Sequence, residues 1–448
     1  MQTTKKRIAI IGSGITGIGA SWLLHEKYEV TLYEKNNYIG GHTHTHEIKD
    51  NDDVLAIDTG FIVYNEKNYP NLVGLFDQLK IKTQKTEMSF AFSLNQGELE
   101  YSGSGIAGLF AQKGNLIRLK HWRLIKEILR FNKIAHQSLE QTTNTSTEDR
   151  NLSLGDFLNK HDFSDELKLH YLLPMGAAIW SCPVEIMYQF PAHSFIRFFA
   201  NHGLIDIKNR PQWRTVVGGS NQYIKKIFAK IGKQIRLNSA ALSVKRTPSK
   251  VIVTCKDGEQ AYDQVIFACH ADEALALLDK PRAYEIKVLR NFKYQENKTY
   301  LHTDEKLMPK RKKAWSAWNY LASSKNNTNN KMTATYWMNC LQKLKTDNNY
   351  FVTLNPFVQP DADKVIKEMT YHHPVFDKDA ITAQQHINEI QGIDKTWFCG
   401  SYTGYGFHED ALSSAVIVCK RLGVAIPWEK PEPENIQNTN DVNYGEKQ

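Results

Sequence analysis

No two of the six cysteines (Cys182, Cys255, Cys269, Cys340, Cys399 and Cys419) form a C-x-x-C pair, and their neighbours are mostly apolar. Buried free thiols in a reducing compartment are therefore expected. Apolar runs are short, none reaching the length that spans a bilayer. A secretory leader is not expected either, because Met1 to Lys6 is polar and the apolar run after it carries a glycine motif. These absences point to a cytoplasmic protein. Signatures of RNP, zinc-finger and helix-turn-helix modules are lacking, so nucleic acid is not an expected partner. Acidic residues are the minority, 48 against 56 Lys and Arg, for a net charge of +8. That balance suits a phosphate-bearing cofactor or an anionic membrane surface.

What is present is ample core. With 448 residues, 41% hydrophobic and 11% aromatic, the chain exceeds one small core, and two intimately joined domains are expected. The start is the most telling stretch. Ile8, Ala9, Ile10 and Ile11 read as a buried parallel strand. Gly12, Gly14 and Gly17 follow in G-x-G-x-x-G spacing, then a helical stretch, then a second apolar run ending on Glu34. A dinucleotide site needs that order. Gly12 permits the tight turn, Gly14 lets the backbone approach a pyrophosphate, and Gly17 lets helix and strand pack closely. Ile15 and Thr16 open a helix whose N-terminal N–H groups carry partial positive charge toward the phosphates. Glu34, followed by Lys35, suits a ribose diol and disfavours the 2′-phosphate of NADP.

Further along, Ile39-Gly-Gly-His42 forms a loop with the paired glycines Gly40 and Gly41, and Asp58, Thr59 and Gly60 turn into a short strand. Residues 69–79 read as a helix, 88–101 as a hairpin, and 116–135 as a basic amphipathic helix. The polar stretch 141–149 reads as an exposed loop. Residues 154–179 and 195–199 are helical in pattern, after which 235–242, 251–255 and 264–268 are short β-rich runs. Strand-like runs recur at 298–302, 333–338 and 350–354, with a surface turn at 326–330. Near the end, Trp397-Phe-Cys-Gly400 reads as a strand. Asp410 suits the N-cap of a helix 411–422 that Gly423 closes.

The spacing of four segments resembles the flavin-containing amine oxidase superfamily, which includes monoamine and polyamine oxidases, protoporphyrinogen oxidase and phytoene desaturases. They are Gly12 to Glu34; Ile39-Gly-Gly-His42; Val216-Val-Gly-Gly-Ser220 with Ala241 and Val265-Ile-Phe-Ala268; and Cys399-Gly-Ser401 with Asp410-Ala-Leu412. Asp58-Thr-Gly-Phe-Ile-Val-Tyr-Asn65, Met88-Ser-Phe90, Asn201-His-Gly-Leu204 and Leu301-His-Thr-Asp304 resemble a narrower bacterial branch of FAD-dependent oxidoreductases, often encoded near cyclopropane-fatty-acid synthases.

The resemblance implies an α/β fold with an α+β substrate part: a discontinuous FAD-binding Rossmann-like domain (1–79, 211–275 and 391–427) with an inserted substrate domain (80–210 and 276–390) and a disordered tail, 428–448. It implies noncovalent FAD, held by Gly12, Gly14, Ile15, Thr16, Gly17, Glu34, Lys35, Gly40, Gly41, His42, Thr59, Gly60, Gly218, Gly219, Ala241, Gly400, Ser401, Asp410, Ala411 and Leu412. In that scheme Ala241 meets the adenine through backbone, and the N–H groups of Ala411 and Leu412 face the flavin N1–C2=O edge. His42 stands where the family has arginine, which replaces a permanent cation by a titratable group.

His42, His44 and His46 alternate, so an extended backbone would place three imidazoles on one face. Parallel side chains without a nearby thiolate or carboxylate make a poor metal site, and no metal is expected. For catalysis His408, two residues before Asp410, is a candidate proton carrier. Tyr405, in the aromatic loop before the last helix, is a second catalytic candidate, and Lys298 is a third, on a strand where several family enzymes place a lysine near flavin N5. The basic stretch 113–133 is either a solvated helix face over a core or a membrane-surface helix admitting an acyl substrate, with Lys310 to Lys313 on the same surface.

The expected function is FAD-dependent dehydrogenation of an apolar, fatty-acyl or lipid substrate by hydride transfer. The alternatives are an amine oxidase acting on a small amine or polyamine, an FAD-dependent isomerase or hydratase, and a non-catalytic flavin-bearing lipid-binding subunit. No sequence feature indicates the oligomeric state.

Overall fold

The computed structural model describes residues 5–103, 105–140, 152–206, 210–323 and 333–430. The polar stretch 141–149, the turn 326–330 and the chain beyond residue 430 lie outside the described residues.

Ile8, Ala9 and Ile10 are fully buried at the middle of a five-stranded parallel sheet. Its order is Ile235–Arg236, Glu29–Tyr33, Arg7–Ile11, Gln264–Phe267 and Thr396–Phe398. A parallel sheet covered on both faces requires near-continuous apolar runs, which is why these strands do not alternate. On one face lie the helix Ile15–Leu24, buried along its whole length, and the last helix, His408–Arg421. Gly19 permits that contact: a Cβ there would sit 2.7 Å from Leu412 Cδ1. A three-stranded antiparallel sheet (Ala241–Arg246, Val251–Cys255, Gly258–Tyr262) covers the other face, with Val244, Val253 and Tyr262 in the core between them. This is a Rossmann-like arrangement whose strands come from three remote parts of the chain.

The other body is a seven-stranded sheet, ordered Val365–Val375, Lys293–His302, Phe351–Leu354, Thr333–Trp337, Trp318–Ala322, Phe90–Leu94 and Leu99–Ser102. All its pairings are antiparallel except that of Trp318–Ala322 with Phe90–Leu94. Helices from 154–201 share one core with this sheet, built around Phe92, Phe195, Phe199, Leu301 and Tyr320. The stretch 154–179, read as continuous helix, is broken. Leu154–Lys160 ends before Asp162, whose φ is 49°, and Ser164 then caps a new start through the N–H of Leu167.

Asp58 ties the two bodies together. Its buried carboxylate accepts from Ser220 N (2.9 Å to each oxygen), Ser220 Oγ (2.8 Å), Thr45 Oγ1 (2.5 Å) and Gln342 Nε2 (2.9 Å). Burial pushes it up to about 7, against the pull of the Thr45 and Ser220 donors. The tail read as disordered from residue 428 needs one correction. Trp428 stacks on Trp22 at 6.2 Å and donates from Nε1 to Asn71 Oδ1 (3.0 Å), and Glu429 pairs with Lys420. A large aromatic with apolar surface to cover overrides the polar composition around it. All six cysteines are free, and no helix among the described residues is long and apolar enough to cross a membrane.

Candidate functional site

The first glycine loop is shaped by what side chains cannot occupy. Gly12 has φ +101°, and a Cβ there would lie 2.7 Å from Ala268 O. A Cβ on Gly17 would lie 1.8 Å from Gly12 O, whereas one on Gly14 would meet nothing within 4 Å. The open side of this loop is therefore at Gly14. Ile18 is the first helical residue whose N–H finds a helical acceptor, Gly14 O at 2.9 Å, so the N–H groups of Ile15, Thr16 and Gly17 are left for a ligand at the positive helix end.

Glu34 is buried beside them. It accepts from Ser13 N (3.1 Å), Ser13 Oγ (2.6 Å) and Asn36 N (2.8 Å), which leaves one of its roughly four lone-pair sites for a ribose hydroxyl. Ser239, whose N–H donates to Glu34 O, has a buried hydroxyl without a partner. This combination of open glycine, unpaired N–H groups and one unsatisfied hydroxyl fits the adenosine diphosphate part of FAD.

The second glycine loop locks against the first. Gly40 N donates to Ser13 O (3.0 Å), and a Cβ on Gly41 would lie 3.2 Å from Gly14 Cα. A Cβ on Gly60 would lie 2.1 Å from His42 O, so that glycine serves loop packing. Thr59 Oγ1 bonds Tyr371 OH (2.7 Å). Gly218 and Gly219 form a left-handed turn, and a Cβ on Gly219 would lie 2.5 Å from Thr45 Cγ2. Their place is at the Asp58 junction. Ala241 opens the antiparallel sheet opposite Cys255, and Lys35 pairs with Glu273 (2.6 Å).

Histidines crowd the space beyond these loops. The His42 ring sits 5.1 Å from Tyr371 and 5.2 Å from His373, and its buried Nε2 has no partner. Burial, reinforced by His373, His270, His408 and His372, holds it well below the ordinary histidine range. It is neutral where a permanent cation was the family pattern. His373 was not singled out in the sequence, yet its tautomer can be assigned. Lys298 N donates to Asn355 Oδ1 (3.0 Å), Asn355 Nδ2 to Asn297 Oδ1 (2.6 Å), and Asn297 Nδ2 to Gln295 O (3.1 Å). The amide of Asn297 is thereby oriented, so its 2.8 Å contact to His373 Nδ1 is a donation and the ring proton sits on Nε2. Burial lowers His373 to about 4. His44 bonds Tyr371 OH (3.0 Å) and His46 contacts Met369 Sδ (3.1 Å). Among the described residues no group of three or more His, Cys, Asp or Glu is placed to hold a metal ion.

Three expectations for this region need correction. Lys298 is half exposed, with its ammonium 3.6 Å from Glu368. Its neighbour Asn297 is the buried one, because strand pairing decides which alternate residues face inward. Lys298→Ala should therefore leave the flavin spectrum intact and turnover within about twofold of the parent, as surface substitutions do; a much larger loss would return the lysine to the site.

His408 is not a free proton carrier. Its Nε2 bonds Thr43 Oγ1 and Tyr223 OH, both at 3.0 Å, the ring stacks on Phe61 at 3.8 Å, and burial lowers it to about 3. Last, the final helix starts at His408, with Asp410 at its third position accepting from Phe407 N (2.9 Å). Ala411 N is thus already bonded to Phe407 O (3.0 Å), and Leu412 packs on Gly19. The amides left for a ligand at this helix end are those of His408 and Glu409. The carboxylate of Glu409 caps a second helix, Pro70–Leu79, through Asn71 N (2.9 Å) and Leu72 N (3.0 Å).

Gly400 N donates to Ser414 Oγ (2.9 Å), and Ser401 starts a short 3-10 turn into the loop before this helix. There an aromatic wall forms. Trp180 Nε1 donates to Tyr405 O (3.1 Å), while Phe198 stacks near Phe407 (5.0 Å), Tyr405 (5.6 Å) and His202 (3.9 Å).

A glycine-loop cradle on a parallel sheet, with Glu34 buried beside it and the Gly40–Gly41 loop locked against it, is the arrangement of a dinucleotide-binding enzyme. The chain belongs to the family of flavin-containing amine oxidoreductases, whose family model matches residues 15–370. Members of that family bind FAD, and this chain is an FAD-dependent oxidoreductase.

Solved structures are similar in fold. A fatty acid isomerase from P. acnes, described as producing CLA, has a TM-score of 0.67 at 15% identity, covering 95% of this chain and 100% of that one. Wild-type putrescine oxidase bound to putrescine has a TM-score of 0.64 at 16% identity, covering 93% and 99%. Cyclohexylamine oxidase from Brevibacterium oxydans IH-35A has 0.63 at 12%, covering 94% and 100%. No curated protein matches the chain.

Proposed function

We propose that the substrate is apolar and acyl-like, and that the enzyme dehydrogenates it at a C–H bond next to a double bond. One observation carries this reading: the site offers aromatic walls and neutral histidines, and the carboxylates on its own segments are already engaged. Asp58 serves Ser220, Thr45 and Gln342; Glu409 serves Asn71 and Leu72; Asp410 serves Phe407 N. A cationic amine would lack a charge partner there, and burying an unpaired charge is costly. When bound, FAD supplies a two-electron acceptor for a hydride.

The protein's share is orientation and exclusion of water. Trp180, Phe198, Tyr405 and Phe407 pack together as one apolar aromatic cluster, and His373 presents a donor at Nε2 in a surrounding that keeps it uncharged. Noncovalent FAD is part of the same proposal: Cys399 lies buried with Sγ on Phe267 O (3.6 Å).

A second reading, isomerisation of an unsaturated acyl chain without net oxidation, draws support from the fold shared with the fatty acid isomerase. Oxidation of an amine, as in the putrescine and cyclohexylamine oxidases, is the reading the engaged carboxylates disfavour.

Anaerobic addition of unsaturated fatty acids, phospholipids and a panel of amines separates the three. Bleaching of the flavin band by lipid is expected. Conversion of lipid without bleaching would favour isomerisation, and bleaching by amines alone would overturn the proposal.

A further inference from the structure

Residues 101–126 contain no Asp or Glu but five cations, Lys113, Arg118, Lys120, Arg123 and Lys126. All five are exposed. Between them project the apolar side chains of Ile117 (87% exposed), Leu119 (85%) and Ile106 (79%), with Leu116 and Trp122 about half exposed. They come from the short helix Gly105–Leu109, the 3-10 turn Lys113–Leu116 with Ile117 just after it, and the first turn of the helix Leu119–Glu140.

That long helix has its own inward face in Leu124, Phe131 and Ala135, so its core contact does not account for the projecting residues. The knob is also built firmly. Trp122 Nε1 donates to Leu116 O (2.9 Å), its ring lies 5.2 Å from Phe110, and Arg118 donates to Glu98 O (3.0 Å). Arg311, which the sequence grouped with this surface, is instead engaged by Glu100 (2.8 Å).

We infer that this knob docks on an anionic lipid bilayer, with Ile106, Ile117 and Leu119 among the acyl chains and the surrounding cations on headgroup phosphates. Charge decides the occupant. A second copy of this chain would set the cationic face against itself, whereas an anionic bilayer accepts both apolar side chains and cations in one plane. The long helix also packs on Ala192–Asn201, the helix that supplies Phe198 to the aromatic wall. The inference stands independently of the substrate proposed above.

The test is co-sedimentation of the FAD-loaded full chain with phosphatidylcholine vesicles, with and without phosphatidylglycerol. Binding is expected only to the anionic vesicles and should weaken in high salt. Ile117→Asp/Leu119→Asp should lower the bound fraction by about tenfold or more, and Arg123→Glu/Lys126→Glu should abolish the preference for anionic lipid. Flavin content and circular dichroism should be retained in both variants. Equal binding of parent and variants, or no binding of the parent, would overturn the inference. So would a dimer in light scattering that Ile117→Asp/Leu119→Asp dissociates, which would give the face to a second copy.

Discussion

Replacing Gly14 by valine should leave the protein folded and nearly empty of flavin. Gly14 has φ −62° and ψ 178°, an extended conformation any residue adopts. A Cβ there would meet no other atom within 4 Å, so the added side chain projects into the open side of the loop, where the pyrophosphate is proposed to sit. Gly17→Ala offers the contrast. Its added carbon would sit 1.8 Å from Gly12 O, and either the helix or the strand must move. That change should destabilise the chain itself by several kcal/mol, on the order of the largest single-site effects. Flavin absorbance per mole of protein and thermal melting of the apoprotein distinguish the two. Full flavin content in Gly14→Val would show that the pyrophosphate lies elsewhere.

Acidification should unfold the protein steeply. Burial lowers His46, His202, His302 and His373 to about 4 and His408 to about 3, from an ordinary value of 6.5. Below pH 6.5 these histidines take up protons in the unfolded chain while staying neutral in the folded one. Their stabilisation is therefore present above 6.5 and lost as pH falls toward 4. Two acids act in the opposite sense: Asp58 is raised to about 7 and Asp410 to about 6, and stability from their protonated forms grows as pH falls. Each group contributes at most about 1.4 kcal/mol per pH unit, a ceiling because solvent reaches part of several rings. The histidines outnumber the acids, so the net effect is loss. Urea titrations at pH 7 and pH 5 should show a clear drop in midpoint, and an unchanged midpoint would mean that these rings are solvated.

The same residues show where sequence reading succeeds. The first strand, the glycine turn, the helix after it and the second strand running up to Glu34 were legible because each residue's place depends on neighbours a few positions away, and a strand, turn and helix in fixed spacing is a local geometry. The family followed from several such local pieces in order. The face of a strand residue is different. Lys298 and Asn297 are adjacent, and only pairing of Lys293–His302 with Val365–Val375 turned Asn297 inward and brought it to His373, seventy-six positions away. Nothing local marks that contact.

His408 was chosen for its position near the last helix. Its neighbours Thr43, Phe61 and Tyr223 arrive from remote segments and make it a buried acceptor or donor within the fold. The apolar residues at 106–119 could equally have lined a core, and their exposure was decided by which face of the following helix met the helix Ala192–Asn201. Local chemistry is written in contiguous residues. Burial, tautomer and exposure belong to surfaces assembled from distant ones, and only the folded chain brings those together.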